Sequence, residues 1–171
     1  MTSTLDSPSA VLAAVADHHA ELRARLAECT EAFIGSITQT TVPKAAAKPA
    51  DSELVAFLRS ELVTFLRSEL LPHIEMENDL VYAAGRTEAA SLLVRSMHDE
   101  HRMIEALIDE IDHASKLMDA AIAAGALVVL CDVRIEQENI HLLPALQAAG
   151  IDLVELLGNH AELVGKTRAA S

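Results

Sequence analysis

One rhythm recurs through this chain. Apolar residues fall three and four apart, and each run is broken at one level by a histidine or a glutamate. The first seam reads Leu12, Val15, His19, Leu22, Leu26, Cys29, Phe33. That spacing tracks the 3.6-residue turn and paints one apolar stripe along a helix packed in a bundle. A later seam reads Ala90, Val94, Met97, His101, Ile104, Ile108, Ile111, and another Leu127, Cys131, Arg134, Glu138, His141, Ala145. A helix hides such a stripe against other helices, so the chain reads as all-α. The expected fold is an antiparallel up-down four-helix bundle over residues 8–148. A short C-terminal helix and tail, 151–171, then packs on or beside it. Six glycines and five prolines are few for a turn-rich β fold, and the 51% hydrophobic content includes only Phe33, Phe57, Phe65 and Tyr82 as aromatics.

Local signals set the expected boundaries. Ser7 before Pro8 reads as a cap and first helical residue, and the first helix should fade near residue 37. "TQTTVPKAAAKPA" (38–50) reads as a loop, with Asp51 capping a second helix that runs to about Ala84. Within it "SELVAFLR", "SELVTFLR" and "SELLPHIE" echo one another. Eight residues advance a helix by about 80° beyond two turns, so the echo lengthens the helix without placing equivalents on one face. Pro72 should kink it. Gly85 and Thr87 mark a stop and a new cap. The third helix should turn into the fourth near 115–120, with Asp119 as cap and Gly125 inside. "AAGID" (148–152) should end the fourth, with a shorter helix over about 153–166.

The formal charge of −13 and pI near 4.9 argue against nucleic acid or an anionic membrane as partner. The longest apolar run, "AAIAAGALVVLC" (120–131), is too short to span a bilayer. "MTSTLDSPSA" shows no basic region or apolar core of a signal peptide, and Cys29 and Cys131 read as reduced thiols, so the expected location is cytoplasmic. Monomer and dimer both remain open.

The polar residues on the seams carry the chemistry. His73 and Glu77 are four apart and share a helix face. With His19, His101 and Glu138 they place three imidazoles and two carboxylates at one depth. A buried carboxylate without a counter-charge costs several kcal/mol, on the order of the penalty for any unpaired buried ion. A bound divalent cation, or a pair of them, removes that penalty. Imidazole with bridging carboxylate suits iron, manganese or zinc. An internal repeat sharpens the pattern: "HIEMENDLVYA" (73–83) aligns without gaps to "RIEQENIHLLP" (134–144), with identities at Ile74/Ile135, Glu77/Glu138 and Asn78/Asn139. "HHAELRARL" aligns likewise with "EHRMIEALI", pairing His19 with His101. The chain reads as two helix pairs, each a lone His followed by His-x-x-x-Glu, with Arg134 standing where the second copy needs His.

These motifs, "HHAEL", "LLPHIEMENDLVYA", "DEHRMI" and "RIEQENIHLLP", resemble the hemerythrin-like HHE cation-binding family over roughly residues 8–148. The resemblance implies a four-helix bundle around a non-haem di-iron site, with His19, His73, Glu77, His101 and Glu138 as ligands. It implies that the two glutamates bridge the irons, with His19 and His73 on one and His101 on the other. It also implies binding of O2, NO or peroxide, for sensing, carriage or redox detoxification. The departure is Arg134, since a guanidinium stays protonated and does not normally coordinate metal. Three outcomes follow. His141 substitutes, His98 beside Met97 substitutes, or Arg134 pairs with Glu138 and the second iron is weak or absent. His18 competes with His19 as the first ligand, Tyr82 is core or lies next to the ligands, and His113 and His160 read as surface residues.

Two other function classes fit the same residues. One is a helical regulatory or interaction module with a vestigial or mononuclear metal site, motivated by Arg134. The other is a ferritin-like di-iron carboxylate oxidase, motivated by the Glu-x-x-His pairs Glu110/His113 and Glu138/His141.

Overall fold

The computed structural model describes residues 7–41, 49–85, 90–158 and 160–165. Among these no strand occurs, and the all-α expectation holds. Helix α1 spans Pro8–Thr41. Helix α2 begins at Pro49–Phe65 and continues without a break through Leu66–Leu70, Leu71–Glu77 and Asn78–Tyr82. Helix α3 is Ser91–His113. Helix α4 runs from Leu117–Gln137 through Glu138–Leu142 to Leu143–Ala148. Two short helices follow, α5 (Leu153–Leu157) and α6 (Ala161–Val164).

Several boundaries differ from expectation. Helix α1 reaches Thr41, past the expected end near 37. Helix α2 starts at Pro49, so Asp51 lies inside its first turn instead of capping it. A proline fits a first helical position because its missing N–H has no partner there. Thr87 lies outside the described residues. The α3–α4 turn occupies residues 114–116, with Asp119 already inside α4 and Gly125 in its interior. The expected helix over 153–166 is two pieces divided at Gly158, and residue 166 lies outside the described residues.

Pro72 does not interrupt α2. A widened π-turn, Leu66–Leu70, ends two residues before it, and the turn Glu138–Leu142 ends two residues before Pro144. A proline ring clashes with the carbonyl four residues back and cannot bond it, and a locally widened turn relieves both problems. A third π-turn, Asn78–Tyr82, starts directly after Glu77. Two of the three widened turns therefore begin at or just after a glutamate of the polar level.

The core is split in two. One cluster gathers Leu26, Phe33, Leu66, Ile104, Ile108 and Leu127, and the other gathers Val11, Val15, Val94, Met97, Leu146 and Leu157. Each long helix passes from one to the other at its polar residues. Helix α1 leaves the second cluster at Val15 and enters the first at Leu22. Helix α2 goes from Ile74 to Val81, α3 from Met97 to Ile104, and α4 from Cys131 to Leu142. The order alternates from helix to helix. Helix α1 packs on α2 and α4, and α3 packs on α4 and on α2.

The octapeptide echo behaves as its 80° offset requires. Phe57 is exposed while Phe65 is buried. Its arginines serve α3 instead. Arg59 donates to the carbonyls of Ile111 and Ala114 at the C-terminal end of α3, and Arg67 bonds Asp109 and Asp112. Helices α5 and α6 lie against α1 and the second half of α2. Asp152 caps α5 by accepting from the backbone N–H groups of Val154 (2.9 Å) and Glu155 (3.2 Å). Asp152→Ala should lower stability by about 1 kcal/mol, the usual value of such a cap. Urea denaturation of the full chain measures it.

Candidate metal centre

His19, His73, Glu77, Arg134 and Glu138 are all buried at the junction of the two cores. His19 Nε2 lies 3.1 Å from His73 Nε2 and 3.1 Å from Glu77 Oε1, and His73 Nε2 is 2.8 Å from the same oxygen. Among the described residues these three form a group whose donor atoms sit within 4.8 Å of one another. Glu138 Oε2 approaches His19 Nε2 at 3.6 Å. Three lone-pair atoms aimed at one point repel unless a proton or a cation lies between them. Donors about 3.0 Å apart also match three ligands held near 2.1 Å from one ion at right angles. The donor set therefore fits one metal ion.

The tautomer of His19 is fixed from behind. Its Nδ1 donates to Asn139 Oδ1, 2.9 Å away, which turns Nε2 toward His73 and Glu77. Asn78, the equivalent of Asn139 in the repeat, bonds His101 Nδ1 at 2.7 Å. Both asparagines were visible as repeat identities. Their role was missed because only the glutamate identities carry metal-ligand chemistry.

The other half of the level is built differently. His101 turns its Nε2 to the exposed Glu105, 3.1 Å away, and is not in the three-residue group. Arg134, 2% exposed, donates to the Met97 carbonyl (3.1 Å) and to Glu77 Oε2 (3.3 Å), and its Nε lies 3.6 Å from Glu138 Oε1. Its guanidinium carbon sits 5.2 Å from the centre of the Tyr82 ring. Tyr82 donates its hydroxyl to Glu138. Burial, then the charges of Glu138 and Glu77, push the phenol far up, so it remains a donor.

The two glutamates divide the charge. Burial works to raise both. At Glu77 the fields and hydrogen bonds of His73 and His19, with the Arg134 charge, overcome it and hold the carboxyl well below its usual range. At Glu138 burial and the neighbouring Glu77 charge win, and its carboxyl is held well above. The chain thus sets the Glu77 carboxylate against the Arg134 guanidinium and opposes ionisation of Glu138.

The candidates for a replacement ligand fall elsewhere. His141 is exposed, so the widened turn after Glu138 carries it off the inner seam. His98 is half-buried with its ring edge-on to Tyr82, 5.4 Å between centres. His18 is half-buried, its ring 5.0 Å from that of His73. It lines an open cleft of about 440 Å³ with Asp17, Glu21 and Gly165. The ferritin-like pairing does not assemble, because Glu110, His113 and His141 are all exposed. Cys131 is core, its thiol pushed up to about 12 by burial.

The family model of the Hemerythrin HHE cation binding domain matches residues 10–146. The chain belongs to the hemerythrin HHE family. No curated protein and no solved structure matches it at a significant level. The hemerythrin HHE match covers all four long helices and every residue of the polar level. It assigns cation binding to the domain whose buried histidines and glutamate converge. No helix among the described residues is long and apolar enough to cross a membrane.

Proposed function

We propose that this protein is a non-haem iron protein that holds one iron ion on His19, His73 and Glu77 and binds O2, NO or peroxide beside it. The carrying observation is the donor set: two imidazoles and one carboxylate converging from two helices, the combination that suits iron(II) with positions left open. Bound there, iron would supply reversible binding and one-electron chemistry toward such small molecules. Glu138 stands on the open side, its Oε2 3.6 Å from His19 Nε2, and is held by the Tyr82 hydroxyl. It faces the space that a ligand would enter. The space beside His19, Glu77 and Glu138 is about 10 Å³, walled by Val15, Val81, Leu143, Leu157 and Leu163. That is near the least volume that holds one water, so it argues against any ligand larger than a few atoms. Leu157 and Leu163 come from α5 and α6, which gives the C-terminal segment the task of excluding solvent.

The bundle is read as antiparallel and up-down, on the alternating order in which α1 to α4 cross the two cores. A second iron is not part of the reading, because Arg134 occupies that side and a guanidinium repels a divalent ion. The same feature supports the second reading, a regulatory helical module with a mononuclear site. Manganese or zinc would satisfy the same donors.

Protein grown with iron should carry about one ion per chain, the number set by a single complete donor group. His73→Ala should carry none. Elemental analysis under aerobic and anaerobic preparation decides it, and a metal-free wild type from both would overturn the proposal. Iron that survives dialysis but gives no spectral change with NO would favour the regulatory module.

A further inference from the structure

The apolar run 120–131 is only half used by the monomer. Ala120, Ala121, Ala123, Ala124, Leu127 and Cys131 face the core, whereas Ile122 (65% exposed), Val129 (63%), Met118 and Val133 face outward. At 100° per residue these four, with Gly125 and the exposed Ala126, occupy one sector of α4 about 100° wide. A helix apolar on both faces is normally buried on both. Gly125 adds a separate oddity. Mid-helix glycine weakens a helix, and nothing in the monomer requires it, since a Cβ built there meets no atom within 4 Å.

We infer that this face of α4 packs against the same face of a second copy, the two helices antiparallel about a twofold axis at the Gly125–Ala126 peptide. The register carries the choice of occupant. Met118 and Val133 lie equally far either side of that peptide, and so do Ile122 and Val129. A twofold axis there sets Met118 level with Val133 of the other copy and Ile122 level with its Val129. This reciprocal pairing is what an isologous interface requires. The smallest residues, Gly125 and Ala126, fall where the helices approach most closely.

Charge agrees. The chain carries −13, which opposes self-association, yet no charged residue interrupts the sector between Met118 and Val133. Asp119 and Asp132 lie on its opposite edges, so the twofold axis sets neither carboxylate against the other. Asp132 is already paired with Arg23 at 2.7 Å. The stripe is roughly 23 Å long and about 10 Å wide. That is smaller than a stable interface buries, so the pairing is weak and reversible. The pairing rests on no metal, so it stands or falls apart from the iron site.

Sedimentation of the full chain from about 1 µM to about 500 µM tests it. The expected mass rises from 18.3 kDa toward twice that value. Val129→Asp and Gly125→Leu should each remain monomeric across the range with unchanged helical circular dichroism, because neither side chain is used inside the monomer. Wild type monomeric throughout, or either variant dimerising as wild type does, would overturn the inference. The first result would leave the face to a different partner.

Discussion

Arg134→His should raise the metal content from the one ion per chain proposed for wild type to two. The substitution completes the second His-x-x-x-Glu, placing an imidazole one turn before Glu138 as His73 stands before Glu77. It also removes the charge that fills the second side, where Arg134 holds the Met97 carbonyl, Glu77 and the neighbourhood of Glu138. Once the guanidinium is gone, Glu138 no longer has a cation beside it and His101 no longer competes with one. Both are then free to turn inward, His101 exchanging the exposed Glu105 for a site ligand. The same variant, stripped of metal, should be less stable than wild type, since it buries Glu77 without its guanidinium. Metal should restore the lost stability, a signature that a merely disordered variant lacks. Elemental analysis and thermal melting with and without chelator read both effects. One ion per chain in Arg134→His would show that the His101 side has lost more than a single ligand.

The polar level was legible in the sequence because metal-ligand residue types on an apolar seam are costly unless something binds them. His19, His73, Glu77 and Glu138 meet for that reason, and Arg134 was readable as the odd member of a repeat. What Arg134 does there was not readable. Its reach to the Met97 carbonyl crosses from α4 to α3, and no spacing within one helix encodes it. His141 shows the second limit. Its offset of three from Glu138 puts it on the seam of an ideal helix, but the widened turn at Glu138–Leu142 rotates it to the surface. "LLP" marked both prolines, but the sequence did not show the widened turn that precedes each. The outward face of α4 was hidden for a third reason. Alanine, isoleucine and valine look alike in sequence whether they meet the core, a second copy or water.

The largest stability effect should come from separating Arg134 from Glu77. Arg134→Leu in metal-free protein should cost about 3–5 kcal/mol, the usual range when one partner of a buried ion pair is removed and the other stays charged. The double variant Glu77→Leu with Arg134→Leu should cost far less. It takes both charges out together and keeps the Tyr82 hydrogen bond to Glu138. The coupling between the two substitutions should reach about 2–3 kcal/mol, the upper range for contacting residues. Acid adds an independent check. Glu77 is held below its unfolded value, so its contribution is complete above about pH 4.3 and is lost as pH falls through its folded value. Glu138 is held above, so its contribution is complete below that same pH and is lost as pH rises through its folded value. The double variant therefore loses the acid-side decline that wild type owes to Glu77, and Arg134→Leu keeps most of it. The carboxyl is gone from the double variant, whereas in Arg134→Leu the larger causes, His73 and His19, still hold Glu77 low. Urea denaturation across pH in chelator measures all of this. Additive costs for the two substitutions would mean that the guanidinium and the carboxylate, 3.3 Å apart, do not depend on each other.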